Sequence, residues 1–313
     1  MDEFICPEAL GNQFPILIQK NLTAIESAFD LEISLRGNKI MFAGKTASVK
    51  KYKKYLQHLV QLAGENNGLT HHDILFSLNL VADGKINALQ ENVQNKNIIK
   101  VNGRDVFPKT YNQQAYVQAI KENAMVFGIG PAGTGKTFLA IAMALSALIN
   151  KTVERIVLTR PVVEAGEKLG FLPGDIQQKI NPYLRPLYDA LYFLIGFEKT
   201  AELIEKGIIE IAPLAYMRGR TISDAFIILD EGQNTVDSQM KMFLTRFGVN
   251  SRVVVTADIT QIDLDQPKKS GIFKAIGILK NVAGISVVHL TMKDVVRHPL
   301  IQKIIEAYGR AEK

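Results

Sequence analysis

Residues Met125–Ile149 read MVFGIGPAGTGKTFLAIAMALSALI, and this stretch decides the fold. Its opening, Met125–Ile129, is short and apolar, as a strand buried inside a sheet should be. Gly130-Pro131-Ala132-Gly133-Thr134-Gly135-Lys136-Thr137 then fills the pattern G-x-x-x-x-G-K-[ST] at every position. Phe138–Ile149 follows, apolar nearly all round, as expected of a helix buried on several sides. Strand, glycine loop and helix in that order make a P-loop unit. The glycines permit backbone conformations and close approaches that a Cβ forbids. Successive N–H groups can then face inward at the positive end of a helix dipole, forming an anion cradle. Lys136 supplies a point charge for β/γ-phosphates, and Thr137 a hydroxyl for Mg2+. The spacing predicts a nucleotide-phosphate site.

Beyond this unit, strands and helices alternate from about Tyr111 onward. Apolar runs at Ile156–Leu158, Phe226–Leu229, Val253–Val255 and Val287–Leu290 read, with Met125–Ile129, as parallel strands buried on both faces. Helical segments between them include Pro182–Ile195, Ser238–Phe247 and Ile272–Leu279. The fold class expected is an α/β doubly wound core, whose ligands sit at the carboxyl ends of the strands. Phe226–Leu229 ends in Asp230-Glu231, an acidic pair at the Walker B position. There Asp230 would hold Mg2+ or its water shell, and Glu231 would orient and deprotonate an attacking water. After the next strand, Thr256-Ala257-Asp258-Ile259-Thr260-Gln261 places polar groups where they could bond a γ-phosphate or that water.

The amino-terminal part has a different rhythm. Leu22, Ile25 and Phe29 recur at helical spacing. Leu31, Ile33 and Leu35 alternate, Gly37-Asn38 supplies a tight turn, and Ile40 with Phe42 resumes the alternation, which predicts a β-hairpin. Val49, Tyr52, Leu56, Leu59 and Ala63 stripe a second helix whose other face carries Lys50, Lys51, Lys53 and Lys54, a solvated face or a nucleic-acid contact. Thr70-His71-His72-Asp73 reads as a helix start. The expected division is a small α+β module over 1–82, a polar, asparagine-rich linker or peripheral segment over 83–107, and a nucleotide core over 108–313. A length of 313 residues suits one large or two domains, and 47% hydrophobic with 22% charged residues is globular material. The formal net charge of +6 permits a polyanionic partner without requiring one. One cysteine, Cys6, leaves no internal disulfide. With neither a signal-peptide pattern at Met1-Asp2-Glu3-Phe4 nor an apolar run of membrane-spanning length, a cytoplasmic protein without a membrane partner is expected.

Five motifs in order now carry a resemblance. They are GPAGTGKT; Thr159–Gly174, TRPVVEAGEKLGFLPG; Tyr216–Thr221, YMRGRT; Leu229–Asn234, LDEGQN; and Thr256–Leu264, TADITQIDL. Together they resemble the PhoH family over roughly residues 101–313. That family implies a RecA-like P-loop ATPase core similar to superfamily-one helicases, with ATP and Mg2+ as cofactors and the loop Gly130–Thr137 as nucleotide site. The resemblance also implies roles for single residues. Gln113, in Pro108-Lys109-Thr110-Tyr111-Asn112-Gln113, looks like an adenine-recognising glutamine, and Gln233 and Gln261 look like γ-phosphate sensors. Arg160 looks like a contact to a nucleic-acid backbone, making RNA or another single-stranded nucleic acid the implied partner. Helicases take a catalytic arginine from a second core, and this sequence shows one core. An arginine is therefore expected from its own tail, Arg297, from Arg218 or Arg220, or from a neighbouring subunit, in a homo-oligomeric ring that the family suggests is hexameric. The family association further implies an endoribonuclease partner. The amino-terminal unit resembles the family's KH-like module, although Gly11-Asn12-Gln13-Phe14 lacks the second glycine of the RNA-clamping G-x-x-G. Two other functions fit a P-loop: a small-molecule kinase, for which no acceptor pocket or arginine-rich lid is evident, and a nucleotide-dependent scaffold, against which Glu231 argues.

Overall fold

A computed structural model describes residues 2–11, 13–65, 69, 71–82, 98–162, 176–264 and 266–295. The chain divides into two compact units, Met1–Lys96 with Lys109–Tyr111, and Asn97–Pro108 with Asn112–Lys313.

The first unit is small and mixed. Strand β1 (Asp2–Ile5) is followed by helices α1 (Gln13–Lys20) and α2 (Leu22–Phe29), the hairpin β2 (Leu31–Arg36) and β3 (Lys39–Gly44), then α3 (Thr46–Glu65) and α4 (His71–Ala82). The turn lies at Gly37-Asn38, where Gly37 takes φ +58°, and Arg36 pairs with Lys39 to close it. The three strands form an antiparallel sheet in the order β1-β3-β2. Alternation does the sorting: Leu31, Ile33, Ile40 and Phe42 are buried while Glu32 and Ser34 face out. They meet Tyr52, Leu56 and Leu59 of α3, with Phe42 edge-on to Tyr52 at 4.9 Å between ring centres. On the opposite face of α3, Lys50, Lys51 and Lys54 are exposed, and Lys53 pairs with Asp2. Cys6 is free and buried.

The second unit opens with a hairpin, β4 (Ile99–Val101) and β5 (Arg104–Val106), followed by α5 (Tyr111–Glu122). Residues 99–106 thus form a small hairpin within the stretch read from the sequence as a linker or peripheral segment, and residues 83–97 lie outside the described residues. Then come β6 (Met125–Ile129), α6 (Lys136–Ile149), β7 (Arg155–Arg160), α7 (Ile176–Ile195), α8 (Phe197–Glu205) and β8 (Ile209–Pro213). The remainder is β9 (Ala225–Leu229), α9 (Asp237–Leu244), β10 (Arg252–Ala257), α10 (Gly271–Leu279) and β11 (Ile285–His289). The six strands β6 to β11 make one parallel sheet in the order β11-β6-β10-β9-β7-β8.

Why the central strands carry unbroken apolar runs is visible in where their side chains go. Val126, Phe226, Ile228 and Val254 join α6 and α7 in one cluster, while Phe127, Ile227, Leu229 and Val255 join α9 and α10 in another. Successive side chains point to opposite faces, and helices cover both. Burying each such side chain contributes about 1.5–3 kcal/mol. Five of the strands were legible as apolar runs, whereas β8, at the sheet edge with a glutamate at its second position, was not. Among the described residues no helix is long and apolar enough to cross a membrane.

Candidate nucleotide site

The loop between β6 and α6 sits at the carboxyl end of the sheet. Gly133 and Gly135 both take φ +81°, a conformation that side-chain-bearing residues rarely adopt. Gly130 serves a different need: a Cβ there would lie 2.6 Å from the Leu290 carbonyl oxygen. The Thr134 hydroxyl donates to the Pro131 carbonyl at 2.8 Å, and α6 begins immediately at Lys136, aiming its amino end at the loop. Lys136 Nζ donates to the carbonyls of Gly130 at 2.6 Å and Pro131 at 2.8 Å. Burial pulls its pKa below the usual lysine value, and the charges of Asp258, Glu231 and Asp230 oppose that pull.

Opposite the loop stand the carboxylates. β10 lies between β6 and β9, so the ends of three adjacent strands present Gly130, Asp258 and Asp230 side by side. Asp230 Oδ1 accepts from the Thr137 hydroxyl at 2.6 Å and from the Thr256 hydroxyl at 2.6 Å. Glu231 adopts the left-handed conformation at φ 54°, which turns its side chain away from the strand direction at some energetic cost. Gln233, wholly buried, tethers it: the amide donates to Glu231 Oε2 and to the Gln261 carbonyl at 3.0 Å, and its oxygen accepts from the Asp258 N–H at 2.9 Å. Burial raises the pKa of Glu231, with Asp230 adding to the rise and Gln233, Arg160 and Lys136 opposing it. Lys136, Thr137, Asp230, Glu231, Asp258 and Gln261 all line one cavity of about 260 Å3.

The donor set suits Mg2+. A threonine hydroxyl and an aspartate share one point in space, both are hard oxygen ligands, and Asp258 Oδ2 is buried beside them with no hydrogen-bond partner among the described residues. Few protein ligands and several waters or phosphate oxygens are what this ion takes.

Of the remaining expected residues, Gln113 is buried and its amide donates to the Thr134 carbonyl at 3.0 Å and the Asp294 carbonyl at 3.4 Å. Arg160 ends β7, and its guanidinium reaches the acidic pair, Nη2 lying 3.4 Å from Glu231 Oε1 and Nη1 3.8 Å from Asp230 Oδ2. The family resemblance gives this arginine a nucleic-acid contact; within this chain it pairs with the two carboxylates. Register explains the inward placement: Thr159 pairs with Leu229, so the next residues along each strand, Arg160 and Asp230, are neighbours. Arg220 is engaged by Glu210 at 2.5 and 2.7 Å, while Arg218 is exposed. Both follow β8, four strands from β6, roughly 19 Å across the sheet at about 4.8 Å per strand. Arg297 lies outside the described residues. Sequence reasoning passed over Asp294, which is buried and accepts from the Thr291 N–H at 2.6 Å and the Asn112 amide at 2.8 Å. Its signal was Thr291-Met292-Lys293-Asp294, a capping pattern at a short helical turn.

Comparison with known proteins agrees with this geometry. The family model described as PhoH-like protein matches residues 105–309. A PhoH-like protein of Mycobacterium tuberculosis is 49% identical over 294 residues, covering 94% of this chain and 83% of the relative. One from Bacillus subtilis is 47% identical over 289 residues, 92% of this chain and 91% of the relative. Among solved structures, the SWI2/SNF2 ATPase core of Sulfolobus solfataricus in complex with dsDNA aligns with 58% of this chain and 44% of that one. Its TM-score of 0.36 and identity of 15% are too low to inform the reading of either chain. With a parallel α/β P-loop core and relatives this similar over nearly its whole length, the chain belongs to the PhoH-like protein family.

Proposed function

We propose that the chain binds ATP with Mg2+, hydrolyses it, and couples hydrolysis to the handling of RNA or another single-stranded nucleic acid. The observation that carries the hydrolytic part is the Thr137–Asp230 hydrogen bond of 2.6 Å, with the tethered Glu231 beside it in the cavity that Lys136 lines. The inward N–H groups of Gly130–Thr137 bind the phosphates, and Lys136 leaves its carbonyl partners to meet the β/γ-phosphate charge. Thr137 and Asp230 would hold the metal, and Mg2+, when bound, would offset the negative charge that develops as the γ-phosphoryl departs. Glu231, raised in pKa and fixed by Gln233, orients the attacking water and takes its proton. Gln261 closes the cavity where the γ-phosphate would lie. Water as acceptor separates this reading from that of a kinase.

Adenine as the base rests on the resemblance around Gln113. The nucleic-acid part rests on the same resemblance at Arg160, on the net charge of +6, and on the exposed Lys50, Lys51 and Lys54. Because Arg218 and Arg220 sit far along the sheet, we favour a ring, hexameric by family likeness, in which a neighbour supplies an arginine to the site. An endoribonuclease partner belongs to the same reading, on resemblance alone. The test is phosphate release with and without single-stranded RNA at low and physiological salt. Stimulation that weakens as salt rises supports a backbone-contacting substrate, and a rate indifferent to RNA at both salts refutes the coupling.

A further inference from the structure

Asp258 is the carboxylate of the site for which the mechanism above has no use. It follows β10 between the P-loop strand and the Asp230 strand, is 4% exposed, and lines the cavity. One of its oxygens is fully occupied. Oδ1 accepts from the Thr260 N–H at 2.9 Å and from the Thr260 hydroxyl at 2.6 Å, which fixes the side chain's rotation. The Asp258 N–H is in turn held by Gln233 at 2.9 Å. Oδ2 is buried and meets no donor among the described residues. A buried acceptor left unmade is expensive, so a rigidly held one facing a cavity marks a place where a donor belongs.

The chemistry narrows that donor. An ionised carboxylate only accepts hydrogen bonds, and phosphate oxygens also accept, so Asp258 cannot bind nucleotide phosphate directly. The site also holds three carboxylates, Asp230, Glu231 and Asp258, against Lys136 and Arg160, before a polyanion arrives. A divalent cation and its polarised waters supply both the missing charge and the missing donor. We propose that Asp258 Oδ2 accepts a hydrogen bond from a water in the coordination shell of the nucleotide's Mg2+, an outer-sphere contact added to Thr137 and Asp230. The proposal rests on the Mg2+–ATP reading above.

Binding rather than turnover tests it. The affinity of full-length protein for an ATP analogue with a non-hydrolysable β–γ linkage is titrated against Mg2+ and repeated in excess chelator. In Asp258→Asn the Mg2+ concentration for half-maximal tightening should rise about tenfold or more, the usual cost of losing a partner behind a metal ligand. Metal-free affinity should stay equal or improve, since a negative charge has gone. An unchanged Mg2+ dependence overturns the proposal. So do equal losses with and without metal, which would make Lys136 or the fold the partner of Asp258. Thr260→Val removes the hydroxyl that helps fix the side chain and should raise the Mg2+ midpoint in the same direction but by less than Asp258→Asn; a shift larger than that of Asp258→Asn would place the effect in the loop rather than in Oδ2 and overturn the proposal. Should Asp258→Asn not fold, Asp258→Ala is read by the same criteria. A wild type whose binding ignores Mg2+ would instead refute the parent reading, a result distinct from any of these.

Discussion

Gln233 is a single side chain with no exposed surface that joins three parts of the site: Glu231, the Asp258 N–H and the Gln261 carbonyl. Replacing it by leucine leaves a buried N–H without an acceptor and frees the Glu231 carboxylate. Gln233→Leu should therefore lower stability by about 1–3 kcal/mol and depress kcat more than it changes KM, measured by denaturant titration and steady-state phosphate release. Gly128 makes a second prediction at this scale. A Cβ on it would lie 2.6 Å from Cε2 of Tyr116, a ring wholly buried against the P-loop strand. Gly128→Ala should cost about 1–3 kcal/mol of stability, read as a fall in the denaturant midpoint. The local chemistry of this site was legible because Gly130–Thr137 and Asp230-Glu231 are contiguous and each needs particular residue types. The tethers were not, since Gln233 to Asp258 and Thr256 to Asp230 depend on how close two strand ends come. Arg160 shows the same limit, for nothing in its flanking residues announces that β7 and β9 are adjacent.

Among the elements, α7 departs furthest from its local sequence. The sequence suggests a start at Pro182, where proline is tolerated in a first turn, yet the helix runs Ile176–Ile195 with Pro182 and Pro186 inside it. Leu184, Leu187, Leu191 and Leu194 form a buried stripe along it and join the cluster beneath the sheet. Packing of that stripe outweighs the lost N–H donors. Accordingly Leu187→Ala, at a fully buried position, should destabilise by about 2–5 kcal/mol. The exposed Pro186→Ala should stabilise by roughly 1–3 kcal/mol by restoring a helical donor. Both are checked by chemical denaturation, and a stabilising Leu187→Ala would contradict the assigned face. The strands divide along similar lines. Central β6 and β9, and Val253–Val255 of β10, are apolar because helices bury both faces, so their runs were plain. Edge strand β8, with its mixed pattern, and the three-residue pair β4 and β5 carry too few residues to show a period.

For the whole molecule, the parallel sheet gathers the P-loop, Thr137, Asp230 and Glu231 at its carboxyl edge, while the described arginines offer only Arg160 near them. A neighbour's arginine is the proposed complement, so sedimentation should show a closed oligomer, and dilution into monomers should abolish turnover while leaving nucleotide binding. A monomer that hydrolyses ATP at the undiluted rate would contradict the ring. Beneath all of this lies the claim that the cavity at the end of β6 and β9 is a hydrolytic site with Glu231 as its base. The direct measurement is phosphate release by Glu231→Gln alongside its affinity for ATP and Mg2+. Nucleotide affinity should stay close to wild type while the rate falls by about 10²–10⁴, the range a general base contributes. A variant that binds ATP and releases phosphate at the wild-type rate would contradict the account.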